Sequence, residues 1–283
     1  LVKNKKMVLV GLGVGVLISL PIILSLFGGK AGRLSVFSIF SYPRPKEYTQ
    51  AFLDQGDEQF GGLTYYLYHS EGVNFTRAIL GRWFNHLSDR FLYFEGDWQN
   101  PRHSAPHNGM FVLADMILVI TGFVALARID SRKTRFILLW AGLASLPAIL
   151  SRDQVHAVRS YNMLVPIVLM DAFGAIFIWE NLRKKSFVKK ALLFGFGLYY
   201  LGTFVYFFDA YFVHLPKNDS KHWMYGYKQI VETITPIQEE YEVVRVEQSY
   251  AQPYIYFLFY QKYDPAKYQR ESRLEESAVG DVG

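Results

Sequence analysis

Residues 161–179 read YNMLVPIVLMDAFGAIFIW, and Arg183, Lys184, Lys185, Lys189 and Lys190 follow closely. An apolar run of this length that ends in a basic cluster predicts a membrane-crossing helix whose basic end faces the cytoplasm. The pattern recurs along the chain. Lys3, Lys5 and Lys6 precede an apolar run at 7–27, and Arg128, Arg132, Lys133 and Arg135 lie between or border the runs at 111–127 and 136–150. A further run covers 191–213. A crossing helix needs about 20 residues, so 136–150 is short. Trp140 and Pro147 near its two ends suggest a tilted or interface-shared helix. The fold class expected is an α-helical polytopic membrane protein of about five spans, with the amino terminus inside. The long loop 28–107, the connection 151–160 and a tail 214–283 then lie on the extracytoplasmic side, and residues 1–213 form the membrane-embedded region. The localisation expected is the plasma (inner) membrane.

Composition supports that reading. The 283 residues are 51% hydrophobic and 17% aromatic, and the apolar residues are clustered in runs instead of being spread with a helical or strand period. The net charge of +5 and pI near 9.1 could suit nucleic acid. The excess, however, sits in the short basic loops, where topology accounts for it, so no nucleic-acid partner is expected. The absence of cysteine removes disulfides and thiolate metal sites. The first run resembles a signal peptide in its basic start, but it is longer than a usual apolar core and no A-x-A site follows it. The chain, beginning at Leu1 and ending at Gly283, reads as part of a longer protein.

The loop 28–107 balances its acidic and basic residues, unlike the inner loops. Its stretches 61–68 and 78–84 are apolar enough to form helices at the membrane surface. In the tail, Trp223, Tyr227, Ile230, Val231, Ile234 and Ile237 follow helical spacing, and 242–246 reads as a strand, giving a small α+β unit. Gly11, Gly13 and Gly15 lie within an apolar run, so close helix packing is expected there, not a dinucleotide loop.

Several polar groups could carry chemistry. In 151–160, Arg152, His156 and Arg159 would fall on one face if the segment were helical. Arginine offers paired donors to a phosphate and histidine can donate or carry a proton. Anchoring of lipid headgroups by ordinary flanking residues fits the same spacing. In 94–109, Asp97, Arg102, His103 and His107 form an outer-loop polar group able to bind a metal or act as acid and base. Their spacing matches no established metal pattern, and Gly96, Pro101, Pro106 and Gly109 favour a turn network. No metal site is assigned. Asp171 lies centrally in its run, where a charge costs about 2.5–3.5 kcal/mol, and is expected to face the bundle with a polar partner. Asp115 and Asp209 lie nearer the outer ends of theirs.

Three stretches together resemble the carboxyl-terminal part of bacterial family 39 glycosyltransferases, relatives of the protein O-mannosyltransferases and the lipid A aminoarabinose transferases. The first is Phe91-Leu92-Tyr93-Phe94-Glu95-Gly96-Asp97-Trp98 with Arg102-His103 and Gly109. The second is Leu146-Pro147-Ala148, then His156-Ala157-Val158-Arg159 and Leu164-Val165-Pro166. The third joins Trp223-Met224-Tyr225-Gly226-Tyr227-Lys228 to Pro253-Tyr254-Ile255-Tyr256-Phe257-Leu258-Phe259-Tyr260. The resemblance implies a GT-C bundle that transfers a sugar from a polyprenyl-phosphate donor to an acceptor hydroxyl on a protein, glycan or lipid at the extracytoplasmic face. It implies Arg152, His156 and Arg159 as donor-phosphate contacts. The catalytic aspartate of that family lies in a first outer loop, expected here before Leu1, so no general base is assigned within the chain. No organic cofactor is implied, and a divalent metal finds no support in the spacing. The contrasting reading is a non-enzymatic transport or envelope-assembly subunit that binds a partner through its outer loop and tail.

Overall fold

The computed structural model describes residues 5–27, 36–129, 131–182, 186–247, 252–272, 275–277 and 280–282. The basic residues Lys3, Arg183, Lys184 and Lys185 lie outside them. The described residues are predominantly helical: α1 (Lys5–Phe27), α2 (Lys46–Gln55), α3 (Glu71–Leu87), α4 (Asp115–Ile129), α5 (Ser131–Ala144), α6 (Leu164–Leu182), α7 (Phe187–Asp209), α8 (Tyr227–Ile234), α9 (Pro253–Tyr260) and α10 (Pro265–Glu271). A three-residue antiparallel pair, β1 (Glu275–Ser277) with β2 (Gly280–Val282), completes the description.

Among the described residues, two helical stretches are long and apolar enough to cross a membrane, Tyr161–Leu182 and Phe187–Asn218. The second leaves no residue of α7 buried against protein. An apolar helix with most of its surface exposed is costly in water and natural in lipid. The expectation of five spans is met only in part. Helix α4 has 15 residues and α5 has 14, which at 1.5 Å per residue reach only about 21–23 Å. The expected third run breaks after Ala144, and Leu146–Ile149 starts a separate turn with Pro147 in its first positions. Proline has no N–H to continue the ladder from the preceding helix. The glycines of α1 are open: a Cβ on Gly11, Gly13 or Gly15 would meet nothing within 4 Å. The close packing expected there is found at other glycines, Gly122 of α4 and Gly174 of α6.

The buried core lies between the π-helical turn Arg90–Phe94, helices α4, α5 and α6, and the 151–160 segment. Phe91, Leu126, Val155, Met163, Ile167 and Met170 pack there together. Gly109 lets the chain pass directly against the backbone of Leu92 and Tyr93. Met110 and Phe111 then donate their N–H groups to the carbonyls of Phe91 (3.2 Å) and Leu92 (2.8 Å). The surface helix expected at 78–84 forms as part of α3, which Ser70 caps by accepting from the Val73 N–H.

In the tail, helix forms over Tyr227–Ile234, and Tyr227 stacks on Tyr256 of α9 at 4.5 Å with the rings nearly parallel. The strand expected at 242–246 does not form among the described residues. Val244 and Val246 instead line a cavity of about 550 Å³ with Ile234, Tyr254 and Leu258. Helical neighbours offer no free ladder of N–H and C=O groups, so an extended segment beside them stays unpaired.

Candidate functional site

Three pieces of chain meet on one side of the core: α3, the turns from Gly96 to Ser104, and the 151–160 segment. Gly96 opens the turns with φ +66°, a left-handed conformation that favours glycine. A Cβ there would also lie 2.6 Å from that of Ser104. Asp97, placed next, is completely buried. Its Oδ1 accepts from the N–H (3.1 Å) and Nδ2 (3.0 Å) of Asn100. Its Oδ2 accepts from His103 Nδ1 (2.9 Å) and from the N–H of Ala157 (2.8 Å). Burial pushes the Asp97 carboxyl up, but the hydrogen bonds from His103, Ala157 and Asn100 outweigh it and hold the group below its ordinary value.

Helix α3 supplies the second set of ties. Arg82 and His86, one turn apart, face the 151–160 segment. The Arg82 Nε donates to the carbonyls of Ser151 and Asp153 (both 3.1 Å), and Nη2 donates to that of Arg152 (2.8 Å). His86 is wholly buried. Its Nδ1 donates to the Arg82 carbonyl (2.7 Å), and its Nε2 accepts from the N–H of His156 (3.1 Å). Burial pushes the His86 imidazole below its ordinary value, against the opposing pull of the Arg82 carbonyl and Asp97. Gln99 adds another tie: its Oε1 accepts from the N–H groups of Gln154 (2.5 Å) and Val155 (3.4 Å).

These ties explain why 151–160 forms bends and turns and not the helix whose face would have aligned Arg152, His156 and Arg159. The N–H groups of Gln154 to Ala157 bond to side chains far away in sequence, which leaves them no part in an i to i−4 ladder, and such a bond forms only at the end of the segment, from the Ser160 N–H to the His156 carbonyl. Arg152 and Arg159 are nevertheless brought together, because both guanidiniums lie over the ring of Phe37, at 5.5 and 4.7 Å. Phe37 is held there by the backbone: Arg152 N–H donates to the Phe37 carbonyl (2.8 Å) and Ile39 N–H to that of Leu150 (3.0 Å). Arg152 also donates to the Tyr42 hydroxyl (3.2 Å), and Arg159 is ion-paired with Asp153 (2.6 Å). His156 turns the other way, with its ring 4.9 Å from that of His103.

Of the outer-loop group, Asp97 and His103 are joined, while Arg102 and His107 stay on the exposed surface. Asp97, His103 and His156 each place one potential ligand atom within 4.8 Å of the others. The lone pairs of this set are largely committed already. Asp97 uses both oxygens twice, and His156 Nδ1 accepts from the Arg159 N–H (3.3 Å). Nε2 of His103 and Nε2 of His156 stand outside these bonds, and because His156 Nδ1 accepts, its Nε2 carries the proton, which leaves the lone pair of His103 Nε2 open. His103 borders a groove of about 270 Å³ lined by Phe91, Met110, Phe111, Met163 and Leu164. On the other side of the segment, Arg152 borders a polar cleft of about 460 Å³ with Tyr42, Asn74, Arg82, Gln99 and Asp153.

The polar partner expected for Asp171 is not found among the described residues: its Oδ1 is buried with no hydrogen bond. Asp115 accepts from the Val112 N–H (3.2 Å) and is bonded by Tyr200. Sequence reasoning missed Arg82, His86 and Gln99 as the residues that shape the site. Their signal was the spacing of Arg82 and His86 on one face of a helix that runs beyond 78–84. No family model matches the chain, and neither do curated proteins or solved structures.

Proposed function

We propose that this protein is a polyprenyl-phosphate-sugar-dependent glycosyltransferase of the membrane, with its donor phosphate held at the 151–160 turn. The observation that carries the reading is the pairing of Arg152 and Arg159 about Phe37 in a turn that leads directly into Tyr161–Leu182, a helix of membrane-crossing length. Two guanidiniums at the mouth of such a helix suit the phosphate of a lipid whose tail lies in the bilayer. The arrangement fits the resemblance to family 39 glycosyltransferases, the protein O-mannosyltransferase group with a GT-C bundle, and to their extracytoplasmic chemistry.

In this reading an acceptor hydroxyl, on a protein, glycan or lipid, attacks the anomeric carbon. Its proton passes to a carboxylate base, a role assigned to none of the residues described above. The bond from the anomeric carbon to the phosphate oxygen breaks, and the lipid phosphate leaves with the electron pair. Arg152 and Arg159 offset the charge that grows on that oxygen. Arg159 must exchange part of its bond with Asp153 for the phosphate, and His156 holds the turn's shape by accepting the Arg159 N–H.

The test is transfer of labelled sugar from a polyprenyl-phosphate donor by the full protein in lipid nanodiscs. Arg152→Ala and Arg159→Ala should each lower kcat/KM by a hundredfold or more, on the order of 3 kcal/mol, with folded yield retained. Wild-type turnover in both variants would overturn the phosphate role.

A further inference from the structure

The three histidines of the site differ in what a proton does to them. His103 donates Nδ1–H to Asp97, a bond that a charged imidazole keeps and strengthens. His86 and His156 are different because each uses a ring lone pair to hold the segment. The Arg82 carbonyl can only accept, so His86 Nδ1 carries its proton and Nε2 is the bare nitrogen that receives the His156 N–H. In His156, Nδ1 is the bare nitrogen that receives the Arg159 N–H. A proton on either nitrogen would set N–H against N–H. We infer that the 156–159 turn is a two-point acid-released latch: a proton on His86 frees the His156 N–H, and a proton on His156 frees the Arg159 N–H.

The surroundings fit a latch that neutral conditions keep shut. His86 faces the guanidinium of Arg82 on its own helix, Asp97 from the Gly96–Ser104 turns, and the ring of Phe91 at 5.1 Å. His156 faces Arg159 and Asp153 of its own segment, His103 and Asp97 of the turns, and His86 of α3. Burial, then Arg159 and His103, push the His156 imidazole down, with Asp97 and Asp153 opposing. Both groups therefore stay neutral to below the ordinary histidine value of about 6.5. A histidine with a depressed folded value stabilises the closed form at neutral pH, and that contribution is lost as pH falls below about 6.5 toward the folded value. Opening would free the segment that carries both Arg152 and Arg159, so acid would switch off anion binding at this place. That last consequence rests on the phosphate reading, whereas the opening itself does not.

Hydrogen exchange of the protein in nanodiscs, corrected for intrinsic rates, separates the two. Between about pH 7.5 and pH 5, the amides of His156 and Arg159 should lose protection by tenfold or more while those of α3 and α4 keep theirs. His86→Gln, whose side-chain oxygen can accept the His156 N–H without titrating, should keep that amide protected at the lower pH. Unchanged protection in the wild-type protein would overturn the latch, and so would equal loss in His86→Gln. If that variant fails to fold, nitrogen-15 spectra of histidine-labelled wild-type protein decide. His86 must show the Nδ1–H form at neutral pH and lose it together with the His156 protection, and any other tautomer at neutral pH refutes the mechanism. Amide opening with unaltered donor binding would leave the latch standing and defeat the phosphate assignment alone.

Discussion

Gly122 and Gly174 face one another where α4 crosses α6, each pressed against the other helix's backbone. A Cβ on Gly122 would run into the Met170 carbonyl, and one on Gly174 into that of Leu118. This contact sets the distance between the two helices that frame the core.

Gly174→Ala or Gly122→Ala should therefore force the helices apart. Overpacking of this kind costs about 1–3 kcal/mol, and backbone that cannot yield brings the upper end of that range. Thermal unfolding in detergent should show a lowered midpoint for each variant. Gly11→Ala in α1, where a Cβ has open space, should leave it unmoved. Equal midpoints for all three would mean that the α4–α6 contact is looser than described.

Asp97→Asn keeps the size of the side chain and turns one acceptor oxygen into a donor. Each of the original bonds joins a donor to a buried charge, worth about 1.5–3 kcal/mol. Loss of about 3 kcal/mol is expected, read as a lower midpoint and as faster protease cleavage within 151–160. The Asp97 carboxyl is held below its ordinary value of about 3.9, so its contribution is present above that pH and fades as pH falls through the lower folded value. Removing the carboxylate should flatten that acid limb of the stability profile.

Arg82→Lys retains the charge but cannot reach the carbonyls of Ser151, Arg152 and Asp153 together. A planar fork with several fixed donors makes that span possible, and an ammonium on a flexible stem does not reproduce it. The variant should lose about 1–3 kcal/mol and raise exchange of the 151–155 amides. Wild-type protection there would show that the bonds to Gln99 and to the Phe37 carbonyl suffice to hold the turn.

Trp83 donates Nε1–H to the Gly142 carbonyl (3.0 Å), tying α3 to α5. Trp83→Phe keeps a ring at that place and removes the donor, so a loss of about 1 kcal/mol is expected. The measurement is again the unfolding midpoint, and an unchanged value would show that water replaces the indole.

The apolar runs at 161–179 and 191–213 determined by themselves that helices form there, because a long run with few polar residues satisfies its backbone groups internally wherever it is placed. The sequence also marked Asp97, His103, Arg152, His156 and Arg159 as the polar residues of consequence. Their arrangement was a different matter. A local spacing rule aligns Arg152, His156 and Arg159 only if their backbone closes on itself, and here Arg82, His86, Asp97 and Gln99 capture those backbone groups from far upstream. Which partner wins a hydrogen bond depends on distances set by the α4–α6 packing and the Gly96 turn, and those exist only once the chain has folded.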